Sequence, residues 1–239
     1  YVYLAFDVQP DYLTEALQGL VALGIAGVNV TLPHKESVIP LLDDLSSEAR
    51  AIGAVNTIVN DGGKLLGHNT DVYGFVEMMK SSSDSIEGEE VSVLGAGGAA
   101  RAVIYGLMTH FRPKVIHLLN RSVERATSLR EFLAGSCGFQ QIDVVDLYMP
   151  PAKAALLKSK LIVNATPLGM SPKTDDSPIR DGSSLAHGQI LVDLIYNPIE
   201  TRLMQMARMR GVKTVSGIEM FLHQGARSFE LWTNQKMQI

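Results

Sequence analysis

Val91-Ser92-Val93-Leu94-Gly95-Ala96-Gly97-Gly98-Ala99-Ala100 is the stretch that decides the fold. Its first four residues have the character of a buried strand and run without a break into a glycine-rich turn. Helical spacing of apolar residues follows from Ala99 to His110. Strand, tight turn and helix in that order are the context a dinucleotide fingerprint requires. Each small residue has a task. Gly95 permits the tight turn, Gly97 lets the backbone approach a pyrophosphate, and Ala100 lets helix and strand pack closely. Ala96, Gly98 and Ala99 complete a loop whose helix N-terminus offers unpaired amides to an anion. The competing reading is a tight turn of purely structural use; the flanking strand and helix favour a bound dinucleotide.

Downstream the alternation continues, with Val115 to Leu119 as strand, Ser122 to Leu133 as helix, and Leu161 to Asn164 and Ile190 to Leu194 as further strands. This pattern builds a parallel sheet covered by helices on both faces. The end of the second strand selects the cofactor: an acidic residue there accepts from ribose hydroxyls, whereas arginine accommodates a 2′-phosphate. It reads Asn120-Arg121-Ser122, with Arg125 one helical turn on. Two guanidinium groups and a hydroxyl around a phosphate specify NADP(H) over NAD. The alternative is that Arg121 and Arg125 are ordinary exposed residues at a helix start.

Upstream, Tyr1 to Val8 reads as a strand that starts abruptly, as though inside a domain, and Leu13, Leu17, Leu20 and Val21 recur at helical spacing. Ile25, Val28 and Val30 mark another strand, followed by helices over Ser37 to Leu45 and Ser47 to Ile52. Val55 to Val59, the turn Asp61-Gly62-Gly63 and Leu65 to Gly67 form a hairpin signal. A helix from Val72 to Met79 leads to Ser81 to Ser85, a surface loop near a domain junction. The last helix, Glu219 to Trp232, must pack away from the completed parallel sheet.

The bulk properties narrow the partners. A length of 239 residues with 46% apolar residues supports one large domain or two modest ones with a real core. A net charge of -4 with no dense basic run gives no footprint for nucleic acid. Cys137 is the single cysteine and no zinc-type spacing surrounds it, so no metal site and a reducing compartment are expected. No apolar run reaches the roughly 18 residues of a membrane span and no signal pattern opens the chain; the expectation is a cytoplasmic protein without a membrane partner.

Between Gly27 and Asp71 lies a dense polar series beside apolar strand ends: Asn29, Thr31, His34, Lys35, Asn56, Thr57, Asn69, Thr70 and Asp71. Strand ends and the loops after them are where ligand sites of α/β folds collect. Taken singly, Lys35 fits a solvated surface charge and Asp71 a helix cap. Taken together they fit proton handling, because hydride transfer at an alcohol carbon must be matched by a proton moving on or off its oxygen. Desolvation would favour a neutral lysine and a neighbouring carboxylate the charged one; the two effects oppose one another.

Several segments resemble shikimate dehydrogenases, in the family's order: Asn29-Val30-Thr31-Leu32-Pro33-His34-Lys35, Gly53-Ala54-Val55-Asn56-Thr57, Asn69-Thr70-Asp71-Val72-Tyr73-Gly74, Asn164-Ala165-Thr166-Pro167-Leu168-Gly169-Met170, Gly217-Ile218-Glu219-Met220 and His223-Gln224-Gly225-Ala226. The resemblance implies NADPH-dependent reduction of 3-dehydroshikimate to shikimate in the chorismate route to aromatic amino acids. It implies catalytic roles for Lys35 and Asp71 and substrate contacts at Thr31, Asn56, Tyr196 and Gln224. It places Gly217 and Met220 beside the nicotinamide and Thr166 beside the cofactor. Read from its surroundings alone, Gln224 is either a helix-surface amide or a buried-face residue. Two departures stand out. The family's opening strand and helix, with a hydroxyl pair for the substrate carboxylate, are not found before Tyr1, and the end at Ile239 is short for the family.

The resulting expectation is an α/β protein of two domains. Residues 71–216 would form a Rossmann-like NADP-binding domain with a doubly wound parallel sheet. Residues 1–70 with 217–239 would form a smaller α/β substrate-binding catalytic domain. Ligands would meet in the cleft of a monomer or homodimer whose partner is a small molecule. A quinate and shikimate dehydrogenase of broader choice is the near rival, and a catalytically silent NADP-binding module the distant one.

Overall fold

Alternating and continuous apolar runs fold into separate sheets, as the computed structural model of residues 1–239 shows. Helix α1 (Leu13–Ala22) buries Leu17 and Leu20 on the smaller sheet. That sheet comprises β1 (Gly27–Asn29), β2 (Asp44–Leu45), β3 (Thr57–Asp61) and β4 (Lys64–His68), in the order β1-β3-β4-β2, with α2 (Ser47–Ile52) between β2 and β3. The hairpin turn falls on Gly62 and Gly63, whose φ angles of 59° and 97° suit glycine and match strand twist in a two-residue loop. Ser46 caps α2 by accepting from Ala49 N at 3.1 Å.

Two expectations for this region are overturned. Tyr1 to Val8 forms no strand: it has no ladder partner, and its side chains lie on the surface, with Tyr1 edge-on to Phe229 and the Tyr3 hydroxyl donating to Asn29 at 2.9 Å. β-branched and aromatic content makes a strand only where a neighbour supplies hydrogen bonds. The helix over Ser37 to Leu45 is also absent. Pro40 confines helical structure to a short 3₁₀ turn at Ile39–Leu41, and Asp44 and Leu45 extend to pair in parallel with Leu66 and Gly67.

Helix α3 (Asp71–Met79) leads to the larger sheet, and the serine run after it, read as a surface loop, is a 3₁₀ helix, Lys80–Ser85, largely at the surface with Ser82 buried. Then follow β5 (Glu90–Leu94), α4 (Gly98–Gly106), β6 (Val115–Asn120), α5 (Val123–Cys137), β7 (Ile142–Asp146), α6 (Pro150–Lys158), β8 (Leu161–Asn164), β9 (Ile190–Asp193), α7 (Arg202–Arg208) and β10 (Lys213–Ser216). All six strands are parallel, in the order β10-β9-β8-β5-β6-β7. This is the doubly wound Rossmann-type arrangement. The order reverses between β5 and β8, and ligands bind at the carboxyl ends of strands at such a switch point. The strands are buried on both faces: Val91, Val93, Ile116, Leu118 and Val163 enter one core, and Leu94, Leu119, Ile162 and Leu191 the other.

The last helix, α8 (Ile218–Thr233), returns to the smaller sheet, where Trp232 Nε1 donates to Ile58 O at 2.9 Å. It crosses α3 closely at Gly74, where a Cβ would lie 2.6 Å from Met220 O. Helix α3 in turn sends Phe75, Met78 and Met79 into the core of the larger sheet. No helix is long and apolar enough to cross a membrane.

Two outcomes follow from this packing. A Cβ at Gly27 would collide with Ile58 O and the Trp232 indole, so Gly27→Ala should cost about 1–3 kcal/mol, read as a lowered midpoint in urea unfolding. Under β5, the His117 hydrogen bond of 2.9 Å holds the Glu90 carboxyl below its usual 4.5, helped by the charges of His117, Lys158 and Lys114 and opposed by slight burial. A depressed folded value adds stability above the unfolded carboxyl range and loses it as pH falls through the folded value. The stability deficit of Glu90→Gln should therefore be present at neutral pH and vanish in acid, as followed by thermal unfolding across pH.

Candidate active site

Lys35 stands in the turn after β1, where its carbonyl accepts from Val55 N at 2.8 Å, and Asp71 is the first residue of α3. Lys35 Nζ donates to Asp71 Oδ2 at 2.6 Å, with 15% and 8% of the two side chains exposed. Neither bland reading of the pair survives. Lys35 is not a solvated surface charge, and Asp71 makes no cap, because its carboxylate is spent on Lys35 and on Asn56, whose amide donates to Oδ1 at 2.8 Å. Each carboxylate oxygen thus has a donor, while Lys35 Nζ spends one of its three N–H groups on Asp71 and keeps the others for a further acceptor.

Asn56 is the centre of the arrangement. With one Nδ2 hydrogen on Asp71, its other is shared between Thr70 Oγ1 at 3.0 Å and Gln224 Oε1 at 3.4 Å, and its Oδ1 accepts from Thr70 N at 2.7 Å and from Thr57 Oγ1 at 3.1 Å. Asn69 orients the entry to α3, accepting from Asp71 N and donating to Ala54 O, each at 3.0 Å. Gln224 is no surface amide: α8 brings it to Asn56 and Thr70, and its own NH₂ donates to Phe221 O at 2.9 Å. Phe221 stacks on Tyr196, with ring centroids 4.4 Å apart. Thr31 is exposed two residues beyond β1 and lies outside this network.

The glycine loop meets Lys35 directly. A Cβ at Gly98 would press on Lys35 Cδ and Cβ at 3.1 and 3.2 Å, so a side chain at residue 98 would displace the lysine stem by a few tenths of an ångström. Gly95 has φ +105°, where other residues are strained, and Thr166 lies against it. A Cβ at Gly97 would meet only the Arg125 guanidinium, at 3.8 Å, and α4 begins there without a side-chain cap. Open backbone, uncapped amides and an adjoining cation fit the phosphates of a dinucleotide. Around the second strand, Asn120 donates to Ser122 O at 2.8 Å and Arg121 is exposed. Arg125 Nε donates to Ala96 O at 3.0 Å. The Ser122 hydroxyl is engaged, capping α5 and donating to Glu124 at 3.0 Å. Gly217 packs on the Leu194 backbone at the head of α8, and Met220 is buried in the core of the larger sheet.

A family model described as the shikimate dehydrogenase substrate binding domain matches residues 1–58, and one described as the shikimate 5′-dehydrogenase C-terminal domain matches residues 217–239. A shikimate dehydrogenase (NADP(+)) of Symbiobacterium thermophilum is 44% identical over 235 residues, 98% of this chain and 80% of its own length. The chain belongs to the shikimate dehydrogenase family. Solved relatives agree. A crystal structure of a shikimate dehydrogenase in complex with NADP+ has a TM-score of 0.89 at 37% identity, covering 99% of this chain and 80% of that one. The Thermus thermophilus shikimate 5-dehydrogenase in complex with NADP(H) and shikimate has a TM-score of 0.83 at 34% identity, covering 98% and 82%. Within the family frame, Thr31, Lys35 and Asn56 fall in the first matched stretch and Gly217, Met220 and Gln224 in the second. The hydrogen bond from Asn56 to Gln224 thus ties together the two distant stretches that the family models match.

Sequence reasoning passed over two contributors. Ser228 is fully buried and joins Asn29, Thr57 and Thr70 at 3.0, 2.8 and 3.1 Å. Its spacing of four from Gln224 puts both on one face of α8, a signal that is legible. Glu36 ties the turn carrying Lys35 to helices α4 and α5 through Arg101 at 3.0 Å and Arg125 at 3.6 Å, and no sequence pattern announces that pairing. Ser228→Ala should strip one partner from each of Asn29, Thr57 and Thr70, and the expected loss of about 1–3 kcal/mol is measurable by urea unfolding.

Proposed function

We propose that this chain catalyses the NADP-dependent, reversible reduction of 3-dehydroshikimate to shikimate. The observation that carries the reading is the buried Lys35–Asp71 pair pressed against Gly98 of the dinucleotide loop. When bound, NADPH supplies a hydride to the carbonyl carbon. Lys35 Nζ gives its proton to the carbonyl oxygen as that oxygen becomes an alcohol, and takes the proton back in the reverse direction. Asp71 holds the ammonium in line, and Asn56 prevents Asp71 from rotating away. Gln224, Thr31 and Tyr196 surround the ring, Tyr196 steadied by its stack on Phe221.

On the cofactor side, Gly95 to Ala99 would hold the pyrophosphate at the head of α4, and Asn120, Arg121, Ser122 and Arg125 would hold the 2′-phosphate. To hold a phosphate there, Ser122 would give up its bond to Glu124 and Arg125 its long pair with Glu36. Thr166, Gly217 and Met220 line the nicotinamide end. Residues 1–70 with 217–239 act as the substrate-binding part and 71–216 as the cofactor-binding part. Family membership supports a place in chorismate biosynthesis and, with it, the cytoplasm, the chain acting as monomer or homodimer.

Shikimate oxidation with NADP+, followed as NADPH absorbance, tests the reading. Lys35→Ala should lower kcat by about a hundredfold or more while NADPH binding stays within a few fold. Equal rates on quinate or with NAD would point to the broader dehydrogenase. Tight NADPH binding by the unaltered chain without turnover would make it a silent binding module.

A further inference from the structure

Away from the Lys35–Asp71 pair, a file of buried polar side chains runs across the carboxyl ends of β9 and β8. Asp193 ends β9, Asn164 ends β8, the two face each other in register, and both are fully buried. Asp193 Oδ1 accepts from the Asn164 side-chain amide at 2.9 Å and from Ile195 N at 3.2 Å, and Oδ2 accepts from the Thr201 hydroxyl at 2.6 Å. Asn164 Oδ1 accepts from Thr166 N at 3.0 Å and from the Thr166 hydroxyl at 2.7 Å. Burial raises the Asp193 carboxyl, and its three donors pull it down. With two N–H groups on it, Oδ1 is an acceptor whether or not Oδ2 carries a proton.

That acceptor dictates the polarity of everything beyond it. An asparagine amide can turn over within the same space, exchanging donor for acceptor. Opposite Asp193 Oδ1, Asn164 must present its NH₂ to Asp193 and its oxygen to Thr166. The single hydroxyl hydrogen of Thr166 is then committed to Asn164, so toward any other group Thr166 Oγ1 only accepts, as it does from Leu168 N at 3.3 Å. Thr166 also abuts the glycine turn, since a Cβ at Gly95 would lie 3.1 Å from Thr166 Cγ2. The same Asp193 oxygen holds Ile195, the residue before Tyr196, so one carboxyl sets both the Thr166 and the Tyr196 segments.

We infer that Asp193 is a positioning residue for the nicotinamide end of the cofactor, acting through Asn164 to present Thr166 Oγ1 as a hydrogen-bond acceptor beside the glycine loop. The inference rests on the NADP(H) reading above. The nicotinamide carboxamide N–H and the hydroxyls of the ribose that carries it are donors and suit such an acceptor; the phosphates offer only acceptors and do not.

Affinities of the full chain for NADPH and for 2′,5′-ADP, which lacks the nicotinamide, separate positioning from mere structure. Titration calorimetry should show Asp193→Ala weakening NADPH about tenfold while 2′,5′-ADP stays within about twofold. Asp193→Asn keeps an oxygen toward Asn164 and can turn its NH₂ to the Thr201 oxygen, so it should restore NADPH binding. Thr201→Val should lower the unfolding temperature and leave the affinity alone. Should Asp193→Ala fail to fold, Asn164→Asp gives the same answer. Two facing carboxyls lack a donor at neutral pH, so its NADPH binding should be weak and recover as acid restores a shared proton, a gain absent from the unaltered chain. Unchanged NADPH affinity in Asp193→Ala, or equal weakening of NADPH and 2′,5′-ADP, overturns the inference. Failure of the unaltered chain to bind NADPH at all takes the cofactor reading down with it.

Discussion

The architecture of this chain depends on keeping an ammonium and a carboxylate together out of water. A buried pair such as Lys35 and Asp71 is tolerated only when its geometry is tight and the remaining polar atoms are met. Asn56 meets the second carboxylate oxygen, and it is itself fixed by Thr57, Thr70 and Gln224. Those residues come from the smaller sheet, the head of α3 and the terminal helix α8, so the site exists only when all three are assembled. The polar cluster is costly to leave half satisfied, which makes its internal order rigid.

The cofactor side has a different physical basis. It is built from absence: Gly95 adopts a backbone angle that side chains resist, Gly97 leaves its backbone open, and Gly98 lets Lys35 lie against the head of α4. The two halves are joined by close helix contact at Gly74 and by the Glu36 carboxylate between Arg101 and Arg125. Arg125 is exposed and its pair with Glu36 is long, so that link is energetically modest.

Legibility in the sequence follows the range of the interactions. The strand–glycine–helix unit and the central buried strands β5, β6, β8 and β9 are coded locally and can be read. The edge strands β7 and β10 and the helices α6 and α7 escape such reading, because their short, mixed runs carry no clear period; Pro150 and Pro151 at the start of α6 look like a loop signal. Tyr1 to Val8 misleads because strand propensity needs a partner, and Ser37 to Leu45 because Pro40 and pairing with β4 override helical spacing. Family resemblance names Lys35, Asp71, Asn56 and Gln224, but their meeting is a tertiary event across as many as 168 positions. The Glu36 pairings and the Asp193 file have no local signature at all.

The most direct test of the central claim is the fate of the hydride. NADPH dideuterated at the nicotinamide C4 would be incubated with 3-dehydroshikimate and the unaltered chain, and the product followed by NMR. The account predicts shikimate carrying one deuterium on the new carbinol carbon. Intact 3-dehydroshikimate beside bound, unconsumed cofactor would contradict it.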